Sequence, residues 1–115
     1  MLAVIFEAVP AKGQWDRYLD IAESLKPELI KIEGFISIER FQSMKNPEKV
    51  LSLSFWEDET SIAQWRNFEL HRAAQKEGKI SVFEDYRIRV ANIVRDYSMT
   101  NREQTPTDSL PDHHQ

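Results

Sequence analysis

The stretch VLSLSFW, Val50 to Trp56, alternates from Leu51 to Phe55 between large apolar residues and serine. A period of two is the mark of a strand. It sends Leu51, Leu53 and Phe55 to one face and Ser52, Ser54 and Trp56 to the other. Just upstream, Asn46-Pro47-Glu48-Lys49 is turn sequence, with the proline pre-set for the second turn position. Before that turn, Phe35 to Phe41 (FISIERF) reads as another strand, with Ile36 and Ile38 on one face and Phe35 and Phe41 on the other. Two strands joined by a short polar turn are antiparallel neighbours. The rest of the chain has to be built onto this hairpin.

Residues 2 to 8 (LAVIFEA) form a further strand, apolar on both faces as a central strand is, with Glu7 its only polar residue. Pro10, Lys12 and Gly13 end it. From Gln14 to about Ile32 the period lengthens: Tyr18, Ile21, Ala22, Leu25 and Leu29 make one helical stripe among charged residues. Pro27 predicts a kink or a second short helix, and Gly34 sits where a helix C-terminal glycine belongs. After the hairpin, Asp58 can cap a helix, and Ser61 to Gln64 fits a capping box. As one helix, Ile62 to Lys76 would scatter its apolar residues around most of the cylinder. Broken near Asn67 and Phe68, it gives two short helices, one with Ile62 and Trp65 as its stripe, the other with Leu70, Ala73 and Ala74. Gly78 ends the second, and Ile80, Val82 and Phe83 belong to a connection that packs onto the core. Glu84 to Tyr97 (EDYRIRVANIVRDY) reads as a long last strand, with Tyr86, Ile88, Val90, Asn92 and Val94 on one face. Arg87, Arg89, Ala91, Ile93, Arg95 and Tyr97 take the other. Met99 to Gln115, polar with two prolines and no aromatics, reads as a disordered tail after a domain of residues 1–98.

The order βαββαβ predicts an α+β, ferredoxin-like fold: a four-stranded antiparallel sheet with helices on one face. At 115 residues one domain is expected, with six Phe, three Trp and three Tyr to fill its core. No cysteine is present, which excludes disulfides and thiolate chemistry. A formal charge of −4 with mixed signs argues against a nucleic-acid partner. No apolar run approaches the ~20 residues that span a bilayer, and the N-terminus lacks an export signal; a cytoplasmic protein without a membrane partner is expected. The uncovered face of such a sheet measures roughly 400 Å² at ~3.3 Å per residue and ~4.8 Å between strands. That is as large as the biggest apolar patch of a typical monomer, about 300–600 Å². With an overlong last strand left unpaired at its end, a homodimer packed sheet on sheet, its last strands paired, answers both problems.

GFISIERF, VLSLSFWEDETSIAQW, HRAAQKEG and DYRIRVANIVRDY together resemble the antibiotic biosynthesis monooxygenase domain family over most of residues 2 to 97. The resemblance implies a dimeric α+β barrel with a pocket between sheet and helices in each subunit. It also implies oxidation of phenolic compounds by dioxygen without flavin or metal, so no cofactor is expected. A related branch degrades haem with an asparagine on the first strand, a tryptophan on the helix after strand three, and a proximal histidine ten residues beyond it. Trp65 matches that tryptophan, but the histidine position holds Gln75 and no asparagine lies between Leu2 and Pro10. An amide is a poor iron ligand beside imidazole, which disfavours haem.

Trp65 and His71 are the candidate catalytic residues. Trp65 serves equally as core filler or as pocket lining. His71 is the one histidine outside the tail and hence the ordinary base near neutral pH; a lone histidine on a short helix is more often a surface or capping residue. Gln75, four residues on, shares its face and can orient it. Glu7, Phe55, Gln75 and Tyr86 are the candidate substrate contacts. Burial of Glu7 would raise its pKa and make it an alternative base; pairing with an arginine is the plainer role. Phe55 and Tyr86 are core residues within reach of a ligand, and Arg87, Arg89 and Arg95 suit salt bridges across a dimer interface. No phosphate-cradling glycine loop and no histidine–carboxylate cluster for a metal is visible. The expected partner is a small aromatic or hydrophobic molecule.

Overall fold

A computed structural model describes residues 1–75 and 82–109, with the side chains of residues 69–75 and 109 outside the description. The elements follow the expected order: β1 (Leu2–Pro10), α1 (Trp15–Leu29), β2 (Phe35–Gln42), β3 (Val50–Trp56), α2 (Glu59–Gln75) and β4 (Phe83–Asn92). The four strands form one sheet in the order β2-β3-β1-β4, antiparallel throughout. This is the ferredoxin-like arrangement. Among the described residues, no helix is long and apolar enough to cross a membrane.

The register sorts the sheet into two faces. Leu2, Val4, Phe6 and Ala8 of β1 stand opposite Trp56, Ser54, Ser52 and Val50 of β3, and this is the side the helices cover. Its core lies in two clusters. At one end, Ala8 and Val50 pack with Tyr18 of α1, joined by Phe6, Trp15, Val82 and Phe83. At the other, Trp56 packs with Leu29 of α1 and Ile62 of α2, joined by Leu2, Val4, Ile38 and Trp65. Helix α1 ties the two together, because Tyr18 and Leu29 are about three turns apart, or about 16 Å. Between them β3 presents Ser52 and Ser54, both buried, and α1 contributes the small, buried Ala22. The indole N–H of Trp56 donates to Ser54 Oγ at 2.9 Å, so serine on the core face satisfies a polar group that burial would otherwise strand.

Four local expectations are corrected. α2 is one helix from Glu59 to Gln75 rather than two meeting at Asn67. No proline or glycine interrupts that span, and Trp65 stacks on Phe68, one turn along, at 5.5 Å. Scattered apolar positions report a change of surroundings along a helix, not a break in its backbone. α1 passes through Pro27 and ends at Leu29 rather than near Ile32, so the second short helix offered as one alternative does not form. β4 stops at Asn92 instead of Tyr97, because its partner β1 begins at Leu2, opposite Asn92; one further bond follows, from Ile93 N–H to Met1 O. In β2 the register shifts between Phe35 and Ser37. That irregularity brings Phe35 and Ile38 to the same side, against Trp56, where strict alternation had parted them. Asp58 caps α2 as expected, its Oδ1 accepting from Ser61 N–H at 2.9 Å. Gly34 has φ +98° and lies in the entry to β2, beyond the end of α1. Beyond β4, Tyr97 lies under the Arg102 guanidinium at 5.4 Å, and residues 98–105 are joined by short-range bonds before a 3-10 turn at Thr107–Ser109. Ile80, Gly78, His113 and His114 lie outside the described residues.

Candidate functional site

On the helix side of β4, Tyr86, Ile88 and Val90 stand opposite Ala8, Phe6 and Val4 of β1. In every row the β4 member at this edge is far more exposed than its β3 member. Ser52 is 7% exposed, Phe6 is half-buried, and Ile88 is 53% exposed. Tyr86 and Val90 are likewise open, at 59% and 49%. Three consecutive inward positions of a strand are therefore apolar, face the helix layer, and are left uncovered. Isolated exposed apolar residues need no explanation, but a contiguous apolar strip is a candidate surface for a ligand or a partner.

The strip continues into aromatic walls. Phe6 meets Phe83 at 5.5 Å and Tyr86 at 5.8 Å, and Tyr18 meets Phe83 edge-on at 5.5 Å. From the other cluster, Trp65 is half-buried against Trp56, Leu29 and Ile62 while stacking on Phe68. Trp65 thus has the plainer of the two roles open to it from the sequence, packing on the core from the helix side of the sheet. His71 and Gln75 lie on the later turns of the same helix, and their side chains fall outside the described residues.

Glu7 and Phe55 are elsewhere. Each occupies the alternate set of its strand, on the face away from the helices, so within one chain they share no surface with Trp65 and Tyr86. Glu7 of β1 joins β4 and the residue that leads into β3 on that open face, with Lys49 Nζ at 2.6 Å from one carboxylate oxygen and Arg89 at 2.7 Å from the other. Lys49 first, and Arg89 after it, hold the Glu7 carboxyl below its ordinary value. It is an ion-paired carboxylate, with none of the raised pKa that a base in an apolar pocket would show. Phe55 has Leu51, Leu53 and Ile5 for company there, with exposed Phe41 opposite Leu51.

Two things escaped the sequence reading. Arg40 sits on the helix side of β2, where its Nε donates to Tyr18 Oη at 3.3 Å; the available signal was its alternation with Ile38. A shallow polar depression of about 270 Å³ also lies by Met1, Val94, Asp96 and Gln104, sharing no residue with the β4 strip. Among the described residues no group of three His, Cys, Asp or Glu is placed to hold a metal ion.

Comparison with known proteins follows the same lines. The family model for antibiotic biosynthesis monooxygenase matches residues 1–77. A jasmonate monooxygenase of Pyricularia oryzae is 50% identical over 93 residues, which are 81% of this chain and 43% of that protein. The chain thus spans less than half the length of that relative. Among solved structures, a conserved protein from Methanosarcina mazei Go1 aligns with TM-score 0.65 and 22% identity over 79% of this chain and 90% of its own. The haem degrader MhuD of Mycobacterium tuberculosis aligns with TM-score 0.68 and 14% identity over 85% of this chain and all of its own, 100%. At such identities the structural likeness speaks to the fold.

Proposed function

Since the chain belongs to the antibiotic biosynthesis monooxygenase family, we propose that it is a monooxygenase acting on a small aromatic compound of phenol or quinol type. The substrate lies on the helix side of the sheet. The observation that carries this reading is the uncovered apolar strip Tyr86, Ile88 and Val90 next to Phe6, on the side of the sheet that also carries the helix bearing Trp65. An apolar surface of this kind binds a flat ring and also disfavours its phenolate. A base within hydrogen-bond reach is then needed, and His71 on α2 is our candidate, with Gln75 to orient it. Proton removal to His71 yields a phenolate that passes one electron to dioxygen. Recombination of the radical pair forms a ring C–O bond, and the peroxide regains the proton. Loss of the ring C–H proton with cleavage of the O–O bond then releases water and leaves the quinone, so each dioxygen gives one oxygen atom to product and one to water.

The test is oxygen uptake by pure, metal-free protein given hydroquinones or naphthols, with the quinone followed by absorbance. Uptake no faster than buffer overturns the aromatic reading, and an unchanged rate in His71→Ala removes the histidine from it. The 50% identity to a jasmonate monooxygenase favours a second substrate reading, in which jasmonate occupies the same strip; it belongs in the same assay. A ligand bound but recovered unaltered would instead mark a binding module.

The open face belongs to association. Ile5, Leu51, Leu53 and Phe55 lie together there, flanked by the Glu7 ion pairs, and a second copy covers them. Light scattering at micromolar concentration should give a dimer that Leu53→Glu reduces to monomer; a native monomer ends this part of the reading.

A further inference from the structure

The face turned away from the helices is apolar in its middle and charged towards its two edges. Read in register from β2 to β4, one row is Glu39, Leu53, Ile5 and Arg89, and the next is Phe41, Leu51, Glu7 and Arg87. A third row, Ser37, Phe55, Ala3 and Ala91, carries no charge. Glu7 is neutralised within the chain by Lys49 and Arg89. Glu39 at the β2 edge and Arg87 at the β4 edge are exposed and join no ion pair among the described residues. The two edges are three strand spacings apart, about 14 Å, with Leu51, Leu53 and Ile5 between them. The face is therefore polarised, acidic along β2 and basic along β4.

A second copy laid on this face makes an isologous contact, with a two-fold axis lying between the two sheets. Two placements of that axis keep the strands of both sheets nearly aligned, within the angle of about 30° that twist imposes. If the axis runs along the strands, each row lies over the same row of the partner in reverse order. Glu39 then comes over the partner's Arg89, next to the partner's Arg87, and the same contact recurs at the opposite corner. If the axis runs across the strands, β2 lies on β2 and β4 on β4, so acid meets acid and arginine meets arginine. Like charges brought together at an interface oppose association, and this is how charge rejects a wrong register. Because β4 ends at Asn92, it has no overhang that would favour setting the two last strands side by side.

We propose that two copies pack through this face with the two-fold axis along the strands, Glu39 of each pairing with Arg87 and Arg89 of the other at two symmetric corners. The inference rests on the open face being the dimer surface and adds to it the orientation of the copies. Sheets packed face to face stand about 10 Å apart, an interval that a glutamate and an arginine side chain span together. Ile5, Leu51, Leu53 and Phe55 supply the apolar burial, and the corner charges choose between orientations that burial alone leaves open. Asp85, one row beyond Arg87 on β4, then lies towards the partner's β2–β3 turn, which carries Lys45.

Sedimentation equilibrium of the full chain at low salt, where surface charges are least screened, gives the dimer dissociation constant of each variant. One exposed ion pair changes an equilibrium constant by at most about five-fold, but symmetry counts each pair twice. Glu39→Gln should therefore weaken the dimer by about three-fold or more, and Glu39→Lys by about ten-fold or more. Net charge cannot account for that sign, because both variants make the chain less negative than −4, which by itself eases association. Arg87→Glu added to Glu39→Lys should recover at least about three-fold of the loss. A tighter dimer in Glu39→Gln is what the orientation with like edges together requires; it overturns the inference and leaves the dimer standing. A constant unchanged within about two-fold in Glu39→Lys does the same. A native protein that is monomeric overturns the dimer and the inference together. Should circular dichroism show that a Glu39 variant does not fold, Arg87→Gln decides by the same sign, a weaker dimer supporting the inference and a dimer unchanged or tighter overturning it.

Discussion

Replacing Gly34 by alanine tests how the β2 entry positions α2, and with it Trp65. Gly34 has φ +98°, where a side chain costs about 1–2 kcal/mol. A Cβ added there would stand 2.7 Å from Ser61 Cβ and 2.9 Å from Ser61 Oγ. Neither side can yield easily. Ser61 is 1% exposed, its N–H donates to Asp58 Oδ1 at 2.9 Å and its hydroxyl to Asp58 O at 2.8 Å. Gly34 itself is held by Glu57 N–H on its carbonyl at 2.7 Å. Overpacking of this kind adds about 1–3 kcal/mol, for a total of about 2–5 kcal/mol against a typical domain stability of about 5–15 kcal/mol. Gly13 supplies the control: its φ is +77° but nothing lies within 4 Å of an added Cβ, so Gly13→Ala should show the backbone cost alone. Urea unfolding at fixed protein concentration, followed by tryptophan fluorescence and circular dichroism, measures both. Ser61→Gly in the Gly34→Ala background should recover the steric share. If Gly34→Ala is no more destabilising than Gly13→Ala, the contact does not set the start of α2 as argued.

The Glu7 ion pairs predict a pH effect of definite sign. The folded pKa lies below the ordinary 4.5, so the stabilisation is complete above that value and is lost as pH falls through the lowered one. Melting temperature should therefore drop in acid more steeply for the native protein than for Glu7→Gln, and a gap between the two that is constant with pH refutes it. Ser54→Ala strips the buried Trp56 indole of its acceptor and should cost about 1–3 kcal/mol in the same urea assay. A loss below about 0.5 kcal/mol would mean that the indole finds another partner.

The fold was legible because its signals are local. Alternation in VLSLSFW and the stripe from Tyr18 to Leu29 each point to one element, and their order admits few topologies. What periodicity could not supply was the side of the sheet that receives the helices. Leu51, Leu53 and Phe55 look like the core set of β3, yet the helices cover Ser52, Ser54 and Trp56. Trp56 decides the matter: a buried indole needs both an apolar socket and an acceptor, and only its own face, with Ser54 two residues back, offers both. Pairing also set the length of β4, which its composition would have carried on to Tyr97. Trp65 and Tyr86, named as candidates from the sequence, both lie on the helix side of the sheet; Arg40 was missed because nothing in the sequence marks which face of β2 receives the helices, although its alternation with Ile38 is regular.

That choice of faces separates the two tasks assigned to the sheet. Because the serines face the helices, the leucines and Phe55 remain outside, and an apolar surface braced by Glu7, Lys49 and Arg89 is left for the proposed second copy. Because β4 outlies the helix layer, Tyr86, Ile88 and Val90 remain open on the inner side for a ligand. Backbone connects the two surfaces at every residue, yet their side chains never meet. Phe55 and Tyr86, both singled out as ligand contacts, thereby become probes of different properties. A substitution at Phe55 should move the association constant and leave ligand affinity in the assembled protein unchanged, whereas one at Tyr86 should do the reverse. Loss of ligand affinity in Phe55→Ala at concentrations that keep it assembled would contradict the separation, and would require the partner copy to complete the site.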